Sequence, residues 1–305
     1  VQPLALYTTV YPAVEPYLAD WFASVRAQTD TDFRLCVALD GIDEVAASRA
    51  MGGGVDADWV RGGAGETVGS IRQLALDELT RRHDAVVLVD SDDVLHPSRV
   101  ATARAMLETC DVAGCALRVV DESGRSAGRT FSLPGGLAPD GVFPRANAYG
   151  LSNSAARSDA LQRCLPIPRD AALVDWYLWT RAWLFGARFA FGDRAEMDYR
   201  QYGANTARVL GPFTAEQVTE DTERVRHHYR LVLASDLTGA DPDRLRGLKV
   251  AAGAVDVFAG RVVASPEALL RYVDALNRLP DTMVWWQWVA HPSLRHLWAH
   301  DEGET

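Results

Sequence analysis

The chain reads as a doubly wound α/β sheet followed by a helical C-terminal region, and three observations carry that expectation. Short β-rich runs alternate with helix-length amphipathic stretches as far as about residue 210. One of those runs, Ala-Val-Val-Leu-Val after Asp84, is apolar without a break, as a strand covered on both faces must be. From about residue 212 the periodicity is helical throughout. These patterns divide the chain into residues 1–211, a sheet-bearing domain, and residues 212–305, a helical subdomain.

Leu4–Val10 is the first strand, and Pro12 and Pro16 follow it. Leu18, Trp21, Phe22 and Val25 then recur at helical spacing. Phe33–Leu39 is strand-like and stops at the turn signal Asp40-Gly41. Asp58-Trp59-Val60 is a short strand inside a glycine-rich stretch, and Ile71, Leu74, Ala75 and Leu79 mark a helix over 68–81. The apolar run 84–89 ends at Asp90-Ser91-Asp92-Asp93, and Pro97 opens the next helix. Val112–Val120 is another strand. Residues 121–148 lose the pattern and read as a long loop or irregular hairpin bordering a site. Leu173–Phe185 is an aromatic helix, followed by short strands at 188–191 and 196–200 and by helices over 214–234, 242–259 and 266–279.

Composition narrows the function. The formal net charge of −10 argues against a nucleic-acid partner, because phosphate backbones are bound by neutralising them. Lys249 is the only lysine, which reflects a GC-rich, bacterial type of codon usage. Cys36, Cys110, Cys115 and Cys164 form no CxxC pair and read as buried thiols of a reducing compartment. The longest apolar candidate, Val250 to Ala264, is broken by Asp256 and Arg261 and cannot span a bilayer. A cytoplasmic protein is expected, with peripheral contact at the inner face of the membrane through the C-terminal tryptophans as one reading of them.

In open α/β sheets ligands bind beyond the carboxyl ends of the strands, where Asp40 and the 90–93 cluster fall. Alternate residues of an extended segment point the same way, so Asp90 and Asp92 can converge on one hard cation, Mn²⁺ or Mg²⁺. An acidic first turn ahead of Pro97 is the bland alternative. A calcium EF-hand is excluded because its loop glycine is absent.

The same residues carry a resemblance. Thr9-Val10-Tyr11 with Glu15 and Tyr17-Leu18, Gln28-Thr29 with Asp32-Phe33, and the DxD-like strand end Leu88 to Asp93 resemble successive motifs of the family 2 glycosyltransferases of GT-A fold. So do Val174 to Trp179 with Arg181 and Gly186, and Tyr199-Arg200-Gln201-Tyr202-Gly203-Ala204-Asn205-Thr206. Five matches in order cover roughly residues 3 to 206. The resemblance implies a GT-A type mixed sheet flanked by helices. It also implies inverting transfer of a sugar from a nucleoside-diphosphate sugar to a hydroxyl of a glycan, lipid-linked or small-molecule acceptor. Thr9, Tyr11 and Asp40 would hold the nucleobase, Asp90 the ribose and Arg72 the donor, with Asp93 beside them or bracing an arginine. Asp92 would bind the metal, Asp175 would be the general base, and Trp176, Arg200 and Tyr202 would lie on the acceptor side. An ionised Asp175, with an ordinary acidity near 3.9, suits that role.

Two departures stand out. Tyr202 occupies the place of a common histidine, and no QxxRW motif of processive synthases is present. Trp176 and Trp179 are equally compatible with a sugar-binding wall or with core packing. The cluster Trp285-Trp286-Gln287-Trp288 with Trp298 reads as packing between the two regions, and His227 and His228 as surface residues. A haloacid-dehalogenase-type phosphohydrolase, with Asp90 as nucleophile, is the competing enzyme, but Lys249 has no acidic pair near it. A glycosyltransferase-like binding module without activity is the other alternative.

Overall fold

A computed structural model describes residues 3–299 except 64, 204, 206, 208, 210 and 280–283. The central strands are those whose side chains find apolar cover on both faces. In chain order the strands are β1 (Leu4–Val10), β2 (Arg34–Leu39), β3 (Asp58–Arg61), β4 (Ala85–Leu88), β5 (Val94–Leu95), β6 (Val112–Val120), β7 (Ser126–Phe131), β8 (Ser154–Arg157) and β9 (Phe189–Arg200). All seven residues of β1 and all four of β4 are buried, which is why both segments are continuous in apolar character.

The strands form one sheet in the order β3-β2-β1-β4-β8-β6-β9-β5, with β7 on β6. β3, β2, β1 and β4 run parallel, so their carboxyl ends open on the same edge. β8 is antiparallel to both β4 and β6, and β9 returns parallel to β6. The sheet is therefore mixed, as expected. The pair of short strands expected at 188–200 is one strand, continuous through two register shifts against β6. Within 121–148, β7 folds back antiparallel on β6, and the turn between them is held by the Asp121 carboxylate, which accepts from the backbone of Ser123 and Arg125.

The helices are α1 (Leu18–Arg26), α2 (Glu44–Ala50), α3 (Val68–Arg82), α4 (Arg99–Met106), α5 (Ser158–Cys164), α6 (Val174–Leu184), α7 (Ala215–Ala234), α8 (Pro242–Phe258) and α9 (Pro266–Leu276). Oxygen-bearing side chains cap five of them: Asp43, Thr67, Thr214, Asp241 and Ser265 each accept from an amide in the first turn. None of the helices among the described residues is long and apolar enough to cross a membrane. All four cysteines are free and buried.

The helices after Pro212 are tied to one another, and through Tyr229 to the sheet region, by polar clasps as well as apolar packing. The side chain of Asn277 bonds both the amide and the carbonyl of Phe213. Tyr229 donates to the Pro144 carbonyl, and the Trp288 indole donates to the buried Asp221. Trp285, Trp286, Trp288 and Trp298 are all less than 9% exposed. That corrects the membrane reading of this cluster, since a ring enclosed by protein has no face left for lipid. His228, expected on the surface, is also buried. It stacks on Trp176 at 4.0 Å, and burial lowers its pKa to about 3, so it is neutral.

Candidate active site

The parallel strands deliver their carboxyl ends to one rim, and the sequence after each end turns toward a common cleft. β1 leads into Tyr11, β4 into Asp90 and Asp92, and β9 into Tyr202; α3 adds Arg72 and the first turn of α6 adds Asp175. These six residues line the cleft together with Gly150–Ser152, Leu173, Tyr199 and the tail residues Trp285 and Trp286. The enclosed part measures about 160 Å³.

The acid turn is built from behind. Ser91 donates to the Thr9 carbonyl at 2.7 Å, tying the turn to β1. Asp93 is 1% exposed: its Oδ1 accepts the Arg200 amide at 2.8 Å and its Oδ2 bonds Ser152. Burial first, then Asp92 and Asp90, raise the Asp93 pKa well above the carboxylate range. The Ser152 hydroxyl also reaches Asp90 Oδ2 at 3.0 Å, so one serine lies between two carboxyl groups. Having one proton to give, that serine can donate to only one of the two carboxyl groups at a time.

Arg200 is 3% exposed, and its Nε donates to the Asp92 carbonyl at 2.8 Å while its guanidinium lies over the Tyr17 ring. Five of the expected site residues take the following places, Asp93 in its bracing alternative. Asp93 and Arg200 brace the acid turn instead of lining the cleft. Thr9 is 6% exposed and shares its hydroxyl with Tyr7. Trp176 is fully buried against His228 and Tyr229, so it is a core residue with no face for an acceptor. Asp40 is half-buried at the end of β2, its amide bonded to the Val10 carbonyl, on the same rim but outside the enclosed part. Ala204 and Thr206 of the closing motif lie outside the described residues.

The exposed chemistry is compact. Tyr202 donates to Asp92 Oδ2 at 2.7 Å. Burial, then Asp90, push the Asp92 pKa up to about 6, while the Tyr202 bond pulls it down. Burial also raises Tyr11 to about 12, so its hydroxyl stays protonated. Arg72 approaches Asp90 at 3.7 Å, and its buried Nε has no hydrogen-bond partner, an unspent donor beside the cleft. Asp175 is partly open to the cleft; burial raises its pKa to about 6, against the opposing pull of the Trp176 amide and Arg72. Its Oδ2 accepts from Asn147 at 2.9 Å.

The two carboxylates fit a divalent ion in a limited way. Asp90 and Asp92 face one space, and Asp90 weakens the acidity of Asp92, which a cation would reverse. Among the described residues no group of three acid, histidine or cysteine side chains is arranged to hold a metal by itself. A Mn²⁺ or Mg²⁺ held here would take its other ligands from phosphate and water, as Mg²⁺ commonly does.

No protein-family model matches the chain, and no curated protein matches it by sequence. The architecture is more informative. TarS 1–349 of S. aureus, in a structure with UDP-GlcNAc, is similar over 91% of this chain and 82% of its own at 16% identity, with a TM-score of 0.56. A longer TarS structure from S. aureus is covered over 49% of its length, with a TM-score of 0.54 and 16% identity. The mannosyltransferase PcManGT of Pyrobaculum calidifontis, in complex with GDP-Man and Mn²⁺, is similar over 98% of this chain and 88% of its own at 15% identity, with a TM-score of 0.53. The chain has the GT-A fold. In that GT-A frame the cleft just described lies at the carboxyl edge of the parallel strands.

Asn147, Ser152, Trp285 and Trp286 were not singled out as site residues by sequence. Asn147 lies in the segment expected to border a site, but nothing in its neighbours marks an asparagine there as a partner of Asp175. The two tryptophans follow Tyr202 by more than eighty residues, and only the packing of the C-terminal segment brings them in.

Proposed function

We propose that the chain is an inverting, non-processive glycosyltransferase that uses a nucleoside-diphosphate sugar. The observation that carries this reading is the meeting of Asp175, Arg72, Asp90 and Asp92 in one cleft of a GT-A fold. The enclosed part is smaller than the ~300 Å³ at which small-molecule pockets begin. It accommodates the reacting groups, and the nucleoside extends outward over the ends of β1 and β2, past Tyr11 and Asp40.

Asp175 takes the acceptor proton as the hydroxyl oxygen forms its bond to the anomeric carbon, and the bond to the diphosphate breaks on the opposite face. The departing diphosphate collects negative charge, which the Arg72 guanidinium meets. Asp92, with Asp90 beside it, would hold a divalent ion, which would supply further neutralisation of that charge. Tyr202 holds Asp92 in its orientation, and the protonated Tyr11 offers a hydroxyl to the donor. The acceptor is a glycan, a lipid-linked sugar or a small hydroxyl compound, and the four free, buried thiols support a reducing, cytoplasmic setting.

The test is a thermal-shift series with UDP, GDP and their sugars, with and without Mn²⁺, followed by product analysis with the donor that binds. A shift that needs both nucleotide and metal, with an inverted product, supports the reading. No binding of any nucleoside diphosphate at millimolar concentration removes it.

A further inference from the structure

Asn147 occupies an unusual crossing of the molecule. It is fully buried, and its side-chain amide is saturated: Nδ2 donates to the Tyr149 carbonyl at 3.0 Å and to Asp175 Oδ2 at 2.9 Å, while Oδ1 accepts the Tyr149 amide at 2.9 Å. Its backbone amide donates to the Trp285 carbonyl at 3.0 Å, an isolated bridge to the C-terminal segment. Trp285 in turn packs on Phe131 at 4.0 Å and on Tyr199, and it lines the cleft with Trp286. Trp286 holds a left-handed backbone, φ 69°, a conformation rare for a bulky residue and found where surroundings over-determine it.

From this geometry we infer that Asn147 is a positioning residue: its amide fixes the Asp175 carboxylate, and its backbone makes the C-terminal segment part of the same unit. The inference rests on Asp175 being the proton acceptor. Asn147 engages the Oδ2 oxygen of the carboxylate and so restrains rotation of the group. An amide N–H given to a carboxylate also favours its charged form. The other groups acting on Asp175 are the backbone amides of Trp176 and of Asp175 itself and Arg72 from α3, which favour ionisation, and Asp90 beyond β4, which opposes it. From α7, His228 is neutral and Tyr229 is committed to the Pro144 carbonyl. Asn147 is thus the one neutral side chain hydrogen-bonded to this carboxylate among the described residues, and it answers to the tail.

The experiment compares pH profiles of kcat/KM for the wild type, Asn147→Asp and Asn147→Ser. Asn147→Asp keeps the shape and removes the donor; Asn147→Ser keeps the backbone bridge and shortens the side chain. Both move the acid limb upward, by roughly one pH unit for serine and more for aspartate, with KM for the donor within about twofold. A merely structural role lowers the rate at every pH and leaves the limb in place, and that result overturns the inference. Asp175→Asn is run alongside. If it retains full transfer, the base assignment fails; if it abolishes transfer while the limb of both Asn147 variants stays put, the positioning role alone fails. Should Asn147→Asp not fold, Asn147→Ser decides the question by itself.

Discussion

The Tyr202 hydroxyl donates to Oδ2 of Asp92 over 2.7 Å, joining the segment after β9 to the acid turn after β4. Behind the same turn, Arg200 and Asp93 make the reciprocal connection through backbone atoms. The acid that the family resemblance assigns to the metal is therefore held from both ends by one stretch of chain. A phenol in this position is a hydrogen-bond donor and a poor metal ligand, so its contribution is to keep Asp92 ionised and aimed.

Tyr202→Phe removes that donor and leaves the ring packed near Tyr17. Hydrogen bonds to charged groups contribute about 1.5–3 kcal/mol. Affinity for a nucleoside diphosphate in the presence of Mn²⁺ is expected to fall about tenfold or more, measured by calorimetry, while binding without Mn²⁺ stays the same. Equal losses in both conditions contradict the assignment.

Asp175→Asn is expected to lower transfer by about 10²–10⁴, the usual worth of a positioned base, with donor affinity unchanged. A product assay together with nucleotide binding by thermal shift checks both halves.

The same variant has a second signature. Asp175 in the folded chain has a pKa of about 6, above its unfolded value, so the protonated carboxyl favours the fold at low pH. That advantage is lost as pH rises through 6. Asparagine cannot ionise, so Asp175→Asn should melt about 3 °C or more above the wild type at pH 8 and level with it at pH 4. In the wild type, transfer rises through pH 6 and levels off above it.

Arg72→Gln keeps a polar side chain of similar reach and removes the guanidinium charge. Donor binding is expected to weaken by about tenfold, with the larger part of the effect in kcat, because charge grows on the leaving group in the transition state. Steady-state kinetics at several donor concentrations separate the two.

Gly114 sits in β6 where a Cβ would come within 2.7 Å of ring carbons of both Tyr149 and Phe191. Gly114→Ala is expected to cost about 1–3 kcal/mol of stability by overpacking. The displaced Tyr149 is bonded to Asn147, so the acid limb of the rate profile shifts as well. Urea denaturation and a pH series read the two effects.

The parts of this molecule legible in sequence are those governed by local physics. β1, β4 and β6 announce themselves because burial on both faces demands unbroken apolar runs, and α7 to α9 because amphipathic spacing and caps are local signals. Of the site, Asp90, Asp92 and Asp175 sit in recognisable motifs. The short β8 was not read at all, since Ser154–Arg157 is four residues with no pattern, and it becomes a strand only between β4 and β6. His228 was misread because its helix carries charges on neighbouring turns, and only the apposition of Trp176 shows that its own face is inward. Asn147 and Trp285 meet through a tertiary bridge that no spacing rule encodes.

Trp285 and Trp286, described above as a wall of the cleft, come late in the order of synthesis. Translation delivers the N-terminal strands first, and regions of that kind begin to fold while the rest is still being made. The nascent sheet can present Asp90, Asp92 and Asp175 well before residues 285 and 286 leave the ribosome, with Asn147 lacking its backbone partner until then. The wall of the cleft is therefore complete only once residues 285 and 286 have been made and have packed. A chain stalled short of that point would carry every acidic group of the reaction and still have an open, unsupported pocket.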